Sequence, residues 1–346
     1  MEDRGNILIT GATGFIGGHV VRLFAEKRVN MSCLVRDKSN REFINHLPIR
    51  FEAGDITDYP GLLKVFRGKD SVIHIAALTT DWGRRDAFHR INVDGTMNVM
   101  KAAKESGIMD VIITGSISSY GEEDSSMIKD EDAPDRSHYP YFLDTIFPSG
   151  MNYYRDSKCM ATQEAIRFAS DNKMNLTVLE PVWVYGENEF SSGFYEYMKA
   201  VSSGMMLMPG SKKNNFHVVY AGDLADAYYE AYEHKLKGVN RIIIGNERTD
   251  KMHVVHGLFC QEAGMDQPRN APRLLLYPIA LCMELLATLF KFKKAPMLTR
   301  ARVNMFYDNI GYDTSKAWKL LDYKPVTALE DGIRRTVRWY KKYKYL

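Results

Sequence analysis

The chain has 346 residues, of which 45% are hydrophobic and 26% are charged, and its formal net charge is +3. This length suffices for one large domain or two closely packed ones, and the composition excludes a largely disordered chain. A charge so close to balance gives no indication of nucleic-acid binding. The four cysteines have no spacing typical of a zinc site or a disulfide framework. We therefore expect no metal site and a reducing, cytoplasmic environment.

The first predicted element is a short apolar strand, Asn6–Thr10, which runs into a turn with three glycines and then a helix, Phe15–Arg28. The strand begins so near the first residue that we expect no secretory signal peptide. Glycines at this spacing permit a tight turn and a close approach of the backbone to a pyrophosphate, which the N–H groups at the helix start can bind. We therefore expect a dinucleotide to contact six residues here: Gly11, Thr13, Gly14, Phe15, Ile16 and Gly17.

Apolar strands and amphipathic helices alternate through the first two thirds of the chain. Because the strands are continuously apolar, both faces of their sheet must be covered. The succession predicts an α/β fold, a doubly wound parallel Rossmann sheet that binds its ligand at the carboxyl ends of the strands. The further predicted strands are Met31–Arg36, Ile49–Asp55, Ser71–Ala77, Asp110–Ser116, Leu176–Glu180 and Arg241–Gly245. The further predicted helices are Asp58–Phe66, Asp86–Ser106 and Tyr153–Ser170.

The alternation indicates two domains. Residues 1–181 are expected to form the dinucleotide-binding domain, and residues 216–248 to return to it. Residues 182–346 are expected to form a smaller, mostly helical substrate-binding domain. The segment Tyr120–Met151 interrupts the alternation with acidic residues and prolines, which is typical of a lid or another functional loop. Its acidic residues include Glu122, Glu123 and Asp124.

The segment Leu274–Phe290 is nearly continuous in apolar residues. A membrane-spanning helix needs roughly 20 apolar residues. This run is shorter and contains Pro278 and Glu284, so we expect no transmembrane span. Two interpretations remain: a buried or capping helix beside an apolar substrate, and a helix lying in a membrane interface, with peripheral contact through residues 274–294. Basic residues flank the run, namely Arg273, Lys291, Lys293 and Lys294.

Three residues indicate proton transfer. The strand that ends at Ser116 brings a hydroxyl to the edge where the dinucleotide is expected. Tyr154 and Lys158 lie four residues apart on one predicted helix, so that the ammonium can stabilise the phenolate and lower the phenol pKa from about 10. We expect Ser116 to hydrogen-bond the substrate oxygen, Tyr154 to transfer the proton, and Lys158 also to hold the nicotinamide ribose. Tyr153 competes with Tyr154, but its partner four residues on is the uncharged Ser157.

These residues belong to a longer pattern along the chain. It comprises the Gly11–Gly17 turn, Asp55–Ile56, His74–Ala77, Asn92 within Ile91–Thr96, Ser116, Tyr154, Lys158, Pro181–Gly186, and Trp339–Tyr340 after Lys324–Pro325. In this pattern the chain resembles the extended class of the short-chain dehydrogenase/reductase superfamily over essentially its whole length. The resemblance implies an NAD(P)-dependent enzyme. It also implies a homodimer formed through the predicted helices Asp86–Ser106 and Tyr153–Ser170.

The resemblance implies further contacts. Asn92 would support a proton relay through Lys158, although it could instead satisfy a backbone group. Asp55 could likewise cap the helix that begins near Asp58. The expected cofactor contacts are Asp55 and Ile56 at the adenine, Ala76 and Ala77 along the cofactor, and Pro181 and Val184 at the nicotinamide. The expected substrate contacts are Ser118, Trp82 and Tyr185.

The end of the second predicted strand bears on the choice between NAD and NADP. An acidic residue there hydrogen-bonds the ribose 2′-hydroxyl, whereas an arginine accommodates a 2′-phosphate. The strand ends at Arg36, followed by Asp37, with Arg41 close behind. Arg36 favours NADP(H) over NAD(H), as in enzymes similar to dihydroflavonol reductase. Asp37 could still face the ribose.

Two groups of enzymes in this class need different substrate sites. A sugar nucleotide brings a diphosphate, which requires Arg or Lys. The resemblance places Phe216 where sugar-nucleotide enzymes commonly have an arginine, and Leu179–Pro181 reads Leu-Glu-Pro where Leu-Arg-Pro is usual. The segments Asn215–Ala225, Leu274–Phe290 and Pro296–Arg300 are instead similar to the 3β-hydroxysteroid dehydrogenase family. An apolar helix beside the site suits a bulky apolar substrate.

The sequence therefore predicts an NADP-preferring oxidoreductase that interconverts a secondary alcohol and a ketone on a bulky apolar substrate, steroid-like or flavonoid-like. The alternative is a nucleotide-sugar 4-epimerase or dehydratase that uses the same catalytic residues and holds NAD tightly. A third interpretation is a dinucleotide sensor without activity, which the joint presence of Ser116, Tyr154 and Lys158 disfavours. We expect no nucleic-acid partner.

Overall fold

The computed structural model describes residues 6–121, 128–190 and 193–346. Its strands are β1 (Ile7–Thr10), β2 (Met31–Val35), β3 (Arg50–Ala53), β4 (Ser71–His74), β5 (Asp110–Thr114), β6 (Asn175–Pro181), β7 (Trp183–Tyr185), β8 (Leu207–Pro209), β9 (Asn215–Phe216), β10 (Val218–Tyr220), β11 (Val239–Ile244), β12 (Asp250–Lys251) and β13 (Arg269–Ala271). Its α-helices are α1 (Phe15–Glu26), α2 (Tyr59–Val65), α3 (Arg85–Phe88), α4 (Gly95–Glu105), α5 (Gly150–Asp171), α6 (Gly193–Ser202), α7 (Ala221–His234), α8 (Met252–Ala263), α9 (Arg273–Leu289), α10 (Arg300–Met305), α11 (Ser315–Leu321) and α12 (Leu329–Lys342).

A seven-stranded parallel sheet forms the centre of the fold, in the order β11-β6-β5-β4-β1-β2-β3. β1 pairs with β2 on one side and with β4 on the other. The connections after β1 and β4 therefore diverge, which opens a crevice at the carboxyl edge, where doubly wound sheets bind their ligands. The predicted α/β fold with a parallel Rossmann sheet is confirmed.

Residues of the central strands alternate between two hydrophobic cores. In β1, Ile7 and Ile9 face one core and Leu8 faces the other. Helices α1 and α7 cover the first face, and α2, α4 and α5 cover the second. Because both faces are covered, the strands are apolar throughout.

The remainder of the chain adds mainly helices and three short two-stranded ladders. Two of these later elements belong to the central sheet and its cover: β11 pairs with β6, and α7 packs on α1. Helix α12 packs on α8, and α9 packs on α10. In the described part of the chain, we find no helix of the length and apolarity that a membrane crossing requires.

The structure differs from the predicted elements at the positions that carry the site. The predicted helix Asp86–Ser106 contains a π-helical turn, His89–Asp94, between α3 and α4. Strand β5 ends at Thr114, so Ser116 lies in the turn before a 3-10 helix, Ile117–Tyr120. In the predicted lid, Glu122, Glu123 and Asp124 lie outside the described residues.

Candidate functional site

The glycine turn after β1 packs too closely for side chains. Gly11 has a φ of +73°, and a Cβ atom there would lie 2.5 Å from the amide nitrogen of Ala76. A Cβ atom at Gly17 would lie 2.1 Å from the carbonyl oxygen of Gly11. The turn, the start of α1 and the loop after β4 therefore require glycine at these two positions.

The start of α1 suits an anion. Gly14 occupies the N-cap position, and among the described residues no side chain caps this helix end and no acid lies in its first turn. Gly14 is exposed, and Thr13, Phe15 and Ile16 beside it are half-buried. Uncapped N–H groups, the positive end of the helix dipole and glycines at positions 11 and 14 of the turn fit a dinucleotide pyrophosphate.

A buried hydrogen-bond chain joins the two strands that border the crevice. Thr10 Oγ1 lies 2.7 Å from His74 Nδ1, and His74 Nε2 lies 3.0 Å from Thr96 Oγ1. The Ala76 amide donates to Thr10 Oγ1 at 3.3 Å, which fixes the half-buried Ala76–Ala77 loop. Burial, assisted by the charge of Lys158, lowers the His74 pKa to about 3, so His74 is neutral. The sequence motif included His74 but did not reveal this role.

Ser116 and Ser118 form one buried hydroxyl pair. The amide and the hydroxyl of Ser118 donate to Ser116 Oγ at 3.2 and 2.8 Å, respectively. Ser116 is the N-cap of the 3-10 helix that follows β5. Ser118, expected to contact substrate, thus also fixes the Ser116 hydroxyl.

Helix α5 carries both Tyr154 and Lys158 and brings Lys158 to the end of β5. Tyr154 is half-buried, and Lys158, one turn further along the helix, is nearly fully buried. Lys158 Nζ donates to the carbonyl oxygen of Thr114 at 2.6 Å. Burial lowers the Lys158 pKa to about 8, and the charge of Glu180 opposes that shift. The structure therefore places Lys158 beside the segment that carries Ser116.

Asn92 lies in the π-helical turn and connects the β4 loop to α5. Its Oδ1 accepts from the Leu78 amide at 2.7 Å, and its Nδ2 donates to the Leu78 carbonyl at 3.1 Å. Nδ2 also donates to Ser157 Oγ at 2.9 Å, and Ser157 in turn donates to the Tyr154 carbonyl. These contacts make Asn92 a positioning residue for α5. Its part in a proton relay stays a prediction.

A largely buried ion pair, Glu180 with Arg241, contacts the 3-10 helix that follows Ser116. Arg241 Nη2 donates to Glu180 Oε1 at 2.8 Å and to Asp135 Oδ1 at 3.1 Å. Tyr120, at the end of the 3-10 helix, donates to Glu180 Oε2 at 2.5 Å. Burial raises the Glu180 pKa, and Arg241 opposes that shift. The sequence shows Glu180 only as a departure from a motif, because its partner Arg241 lies 61 positions further along the chain.

At the expected adenine side, Arg36 follows β2 and is exposed. Asp55 Oδ1 accepts from the amide and the hydroxyl of Thr57 at 2.9 and 2.8 Å. The cap of α2 is Asp58, which accepts from the Gly61 amide, so the alternative of Asp55 as the cap is wrong. Ile56 is buried against α4, where a Cβ atom at Gly95 would lie 2.8 Å from its Cδ1.

The remaining predicted residues lie at different depths. Pro181 is buried at the end of β6, and Val184 is half-buried in β7. Trp82 is half-buried, and its Nε1 donates to the Phe292 carbonyl at 2.9 Å. Tyr185 is completely buried against Gly332 of α12, so it lies in the core and not at an open substrate surface.

Comparison with known proteins identifies the fold and the family. Residues 7–245 match the NAD dependent epimerase/dehydratase family. A sterol-4-alpha-carboxylate 3-dehydrogenase (decarboxylating) of Schizosaccharomyces pombe is 26% identical, covering 96% of this chain and 97% of that protein. The N-acetyl-alpha-D-glucosaminyl-diphospho-ditrans,octacis-undecaprenol 4-epimerase of Escherichia coli O157:H7 is 25% identical, covering 96% and 95%. The crystal structure of gox2253 superposes with a TM-score of 0.81 at 25% identity, covering 99% of both chains.

The family match spans well over half of the chain and includes the glycine turn, Ser116, Tyr154 and Lys158. The resemblance expected from the sequence is confirmed. The chain therefore belongs to the NAD-dependent epimerase/dehydratase family and is an enzyme of the extended short-chain dehydrogenase/reductase type.

Proposed function

We propose that this enzyme is an NADP-preferring oxidoreductase that interconverts a secondary alcohol and a ketone on a bulky apolar substrate. The observation that carries the proposal is the Lys158–Thr114 hydrogen bond, which holds the ammonium of α5 beside the segment of Ser116. Tyr154 lies one helical turn earlier, a spacing that lets its phenol approach this cation. A bound nicotinamide supplies or accepts the hydride.

The side chains divide the proton chemistry between them. Ser116 Oγ accepts two hydrogen bonds from Ser118, so its own proton remains to donate to a substrate oxygen. Tyr154 gives its proton to that oxygen during reduction and takes it back during oxidation. Lys158 uses one proton on Thr114 and retains two others for the phenolate and a ribose hydroxyl. Ser116, Tyr154 and Lys158 thus have distinct roles in the proposed reaction.

Buried side chains support an apolar substrate. Phe216 is 1% exposed and packs on Trp183, with ring centroids 5.5 Å apart, where a sugar-nucleotide enzyme would place an arginine. The second departure, Glu180, is neutralised by Arg241 inside the fold. Neither position can present a guanidinium to a diphosphate. The printed name of the S. pombe relative also refers to a sterol.

The surface after β2 supports NADP. Arg36 is exposed at the carboxyl end of that strand, and Arg41 lies over the ring of Phe51, 5.0 Å from its centroid. Two guanidinium groups near one strand end suit a 2′-phosphate better than a neutral 2′-hydroxyl. Asp37, also exposed, would repel that phosphate if it faced the ribose.

A nucleotide-sugar 4-epimerase or dehydratase with tightly held NAD is the second candidate. The 4-epimerase relative supports it, and Ser116, Tyr154 and Lys158 would serve that chemistry equally well. Thermal unfolding separates the two candidates, because a ligand that binds only the folded state raises the apparent stability. NADP should raise the melting temperature more than NAD, and UDP-glucose should leave it unchanged. Purified protein that retains NAD, or stabilisation by UDP-glucose, would favour the epimerase.

We also propose a homodimer through α4 and α5. Met160 on α5 is 39% exposed, and a dimer contact of the kind implied by the family resemblance would cover it. Light scattering after gel filtration should give twice the chain mass of 39.6 kDa. A single-chain mass would reject the dimer.

A further inference from the structure

Helix α9 buries a narrow stripe of four side chains and exposes most of its large apolar ones. The buried residues are Leu276, Ala280, Glu284 and Ala287. Leu274 is 88% exposed and Leu289 is 74% exposed. A helix on the surface of a water-soluble protein normally does the reverse. The outward side of α9 is therefore suited to contact with an apolar environment.

The single acid of this helix is held inside the protein. Glu284 Oε2 accepts from the backbone amide of Arg300 at 3.0 Å and from its Nε at 2.9 Å, and both side chains are essentially fully buried. Breaking such a pair leaves a buried charge uncompensated. This ion pair fixes the rotation of α9, so the exposure of the opposite side is built into the fold.

The loop before α5 continues the apolar surface. Phe142, Leu143 and Ile146 are exposed, and Ile146 reaches 84%. The Phe142 carbonyl accepts from Arg300 Nη1 at 2.6 Å, which places this loop against the Arg300–Glu284 pair. The loop's acid, Asp144, is buried and accepts from the Ser149 amide at 2.8 Å. Both segments thus turn their acids inward and their apolar side chains outward.

We call this surface the apolar face, formed by exposed side chains of residues 142–146 and 274–292. It contains much of the exposed apolar surface in the described part of the chain. Contiguous apolar surface of this kind marks an interaction site. Charge identifies the occupant: within residues 273–297, all of which the structure describes, every exposed charged side chain is basic. These are Arg273, Lys291, Lys293 and Lys294.

We propose that the apolar face docks on an anionic lipid surface, with α9 lying in the membrane interface. Leucines and phenylalanines beside a lysine cluster are the features that bind such an interface. A second copy of the chain would instead bring identical basic clusters to one contact without exposed acids from this segment to pair them. Because the inner stripe stays bound through Arg300, α9 lies on the membrane and remains part of the protein.

Docking would also orient the active site. Phe292 accepts from Trp82 Nε1, and the Asp81 carboxylate pairs with Arg302, so the end of the apolar face contacts the loop that follows β4. The catalytic edge would then lie near the lipid from which an apolar substrate partitions, a consequence that rests on the proposed function. Vesicle binding needs no turnover, so failure of the proposed reaction leaves the docking test intact.

Flotation with vesicles tests the apolar contribution. The full-length protein should float with phosphatidylcholine vesicles containing phosphatidylserine. Replacing three exposed apolar residues of the face by serine should lower the vesicle partition coefficient at least about tenfold. A matched control replaces three equally exposed apolar residues elsewhere and should bind like the wild type. The test changes are Leu274→Ser, Leu289→Ser and Phe290→Ser, and the control changes are Ile128→Ser, Met206→Ser and Val326→Ser.

A second pair of variants tests the charge contribution. Reversing the lysine cluster should lower partitioning onto phosphatidylserine vesicles at least about tenfold, since each lysine near an anionic surface contributes to binding. Reversing a second cluster, at the C-terminal end of α12, should have little effect. The test changes are Lys291→Glu, Lys293→Glu and Lys294→Glu, and the control changes are Lys341→Glu, Lys342→Glu and Lys344→Glu.

Three results would overturn the proposal. The first is a wild-type protein that does not float with the phosphatidylcholine vesicles containing phosphatidylserine. The second is equal partitioning of the test and control variants. The third is a lipid-free dimer, seen by light scattering, that the serine changes dissociate, since a second copy would then occupy the apolar face.

Discussion

Lys158 Nζ donates a hydrogen bond to the Thr114 carbonyl oxygen at 2.6 Å, inside a site where the lysine is only 6% exposed. A charged group at this depth is unfavourable because it has lost its hydration. Burial accordingly lowers the Lys158 pKa to about 8. We propose that the charge held here stabilises the phenolate of Tyr154.

The free energy of unfolding should depend on pH through the protonation of Lys158. Its pKa is lower in the folded protein than in the unfolded chain, so between about pH 8 and 10.5 the unfolded chain binds more protons. The free energy of unfolding of the wild type, relative to Lys158→Met, should therefore rise with pH by up to about 1.4 kcal/mol per unit in this range and stay constant below it. Urea unfolding from pH 7 to 10 measures this difference. The exposed-lysine control Lys101→Met should give a flat difference, and a flat result for Lys158→Met would contradict the buried charge.

Tyr154→Phe should lower turnover at least about 100-fold, because a positioned acid contributes on that scale. Cofactor binding, measured by fluorescence titration, should change little. The neighbouring Tyr153→Phe is the matched control: the Tyr153 ring packs on Phe88 with centroids 6.5 Å apart, a contact that phenylalanine keeps. Equal turnover of the two variants would reject Tyr154 as the proton donor.

Arg36→Ala should weaken NADP binding at least about tenfold and leave NAD binding nearly unchanged, since a charge-assisted hydrogen bond to a 2′-phosphate is lost. Steady-state kcat/KM values for both cofactors give the comparison. Lys38→Ala, another exposed cation near the same strand end, serves as the control. An equal loss for both cofactors would show that Arg36 does not read the 2′ position.

Arg300→Met should destabilise the fold by about 3–5 kcal/mol, because Glu284 would stay buried without its partner. The variant also loses the guanidinium bonds to the carbonyls of Phe142 and Phe147. Arg334→Met removes partly exposed pairs with Asp331 and Glu262 and should lower the free energy of unfolding by about 1 kcal/mol or less. Urea unfolding compares the two, and similar losses would mean that the buried pair is not what holds α9.

Local sequence patterns predicted the parts of the site whose chemistry is contained in one element. The glycine turn is such a case, because its three glycines stand together in one short stretch of sequence. The contact that excludes a side chain at Gly11, with the Ala76 amide of the loop after β4, became visible only in the structure. The Tyr154–Lys158 spacing is a second local case, because one helical turn separates the two residues.

The remaining features depend on contacts between distant parts of the chain. Glu180 meets Arg241 across 61 positions, and Trp82 meets Phe292 across 210. The sequence also does not predict which side of α9 faces the protein, because the segment is apolar on nearly all sides. The buried side is fixed by contacts with distant residues, among them the ion pair of Glu284 with Arg300 and the packing of Leu276 and Ala280 on Val303. Tyr185, predicted at the substrate, lies in the core because α12 covers it.

Transfer of deuterium from NADPH labelled at nicotinamide C4 tests the central proposal most directly. The purified protein is incubated with the labelled cofactor and a panel of cyclic, steroid-like ketones, and the products are analysed by mass spectrometry. We expect an alcohol that carries one deuterium, formed with one equivalent of NADP, and loss of this product in Tyr154→Phe. Absence of labelled alcohol from every ketone, together with interconversion of a UDP-sugar without net cofactor consumption, would contradict the proposed function.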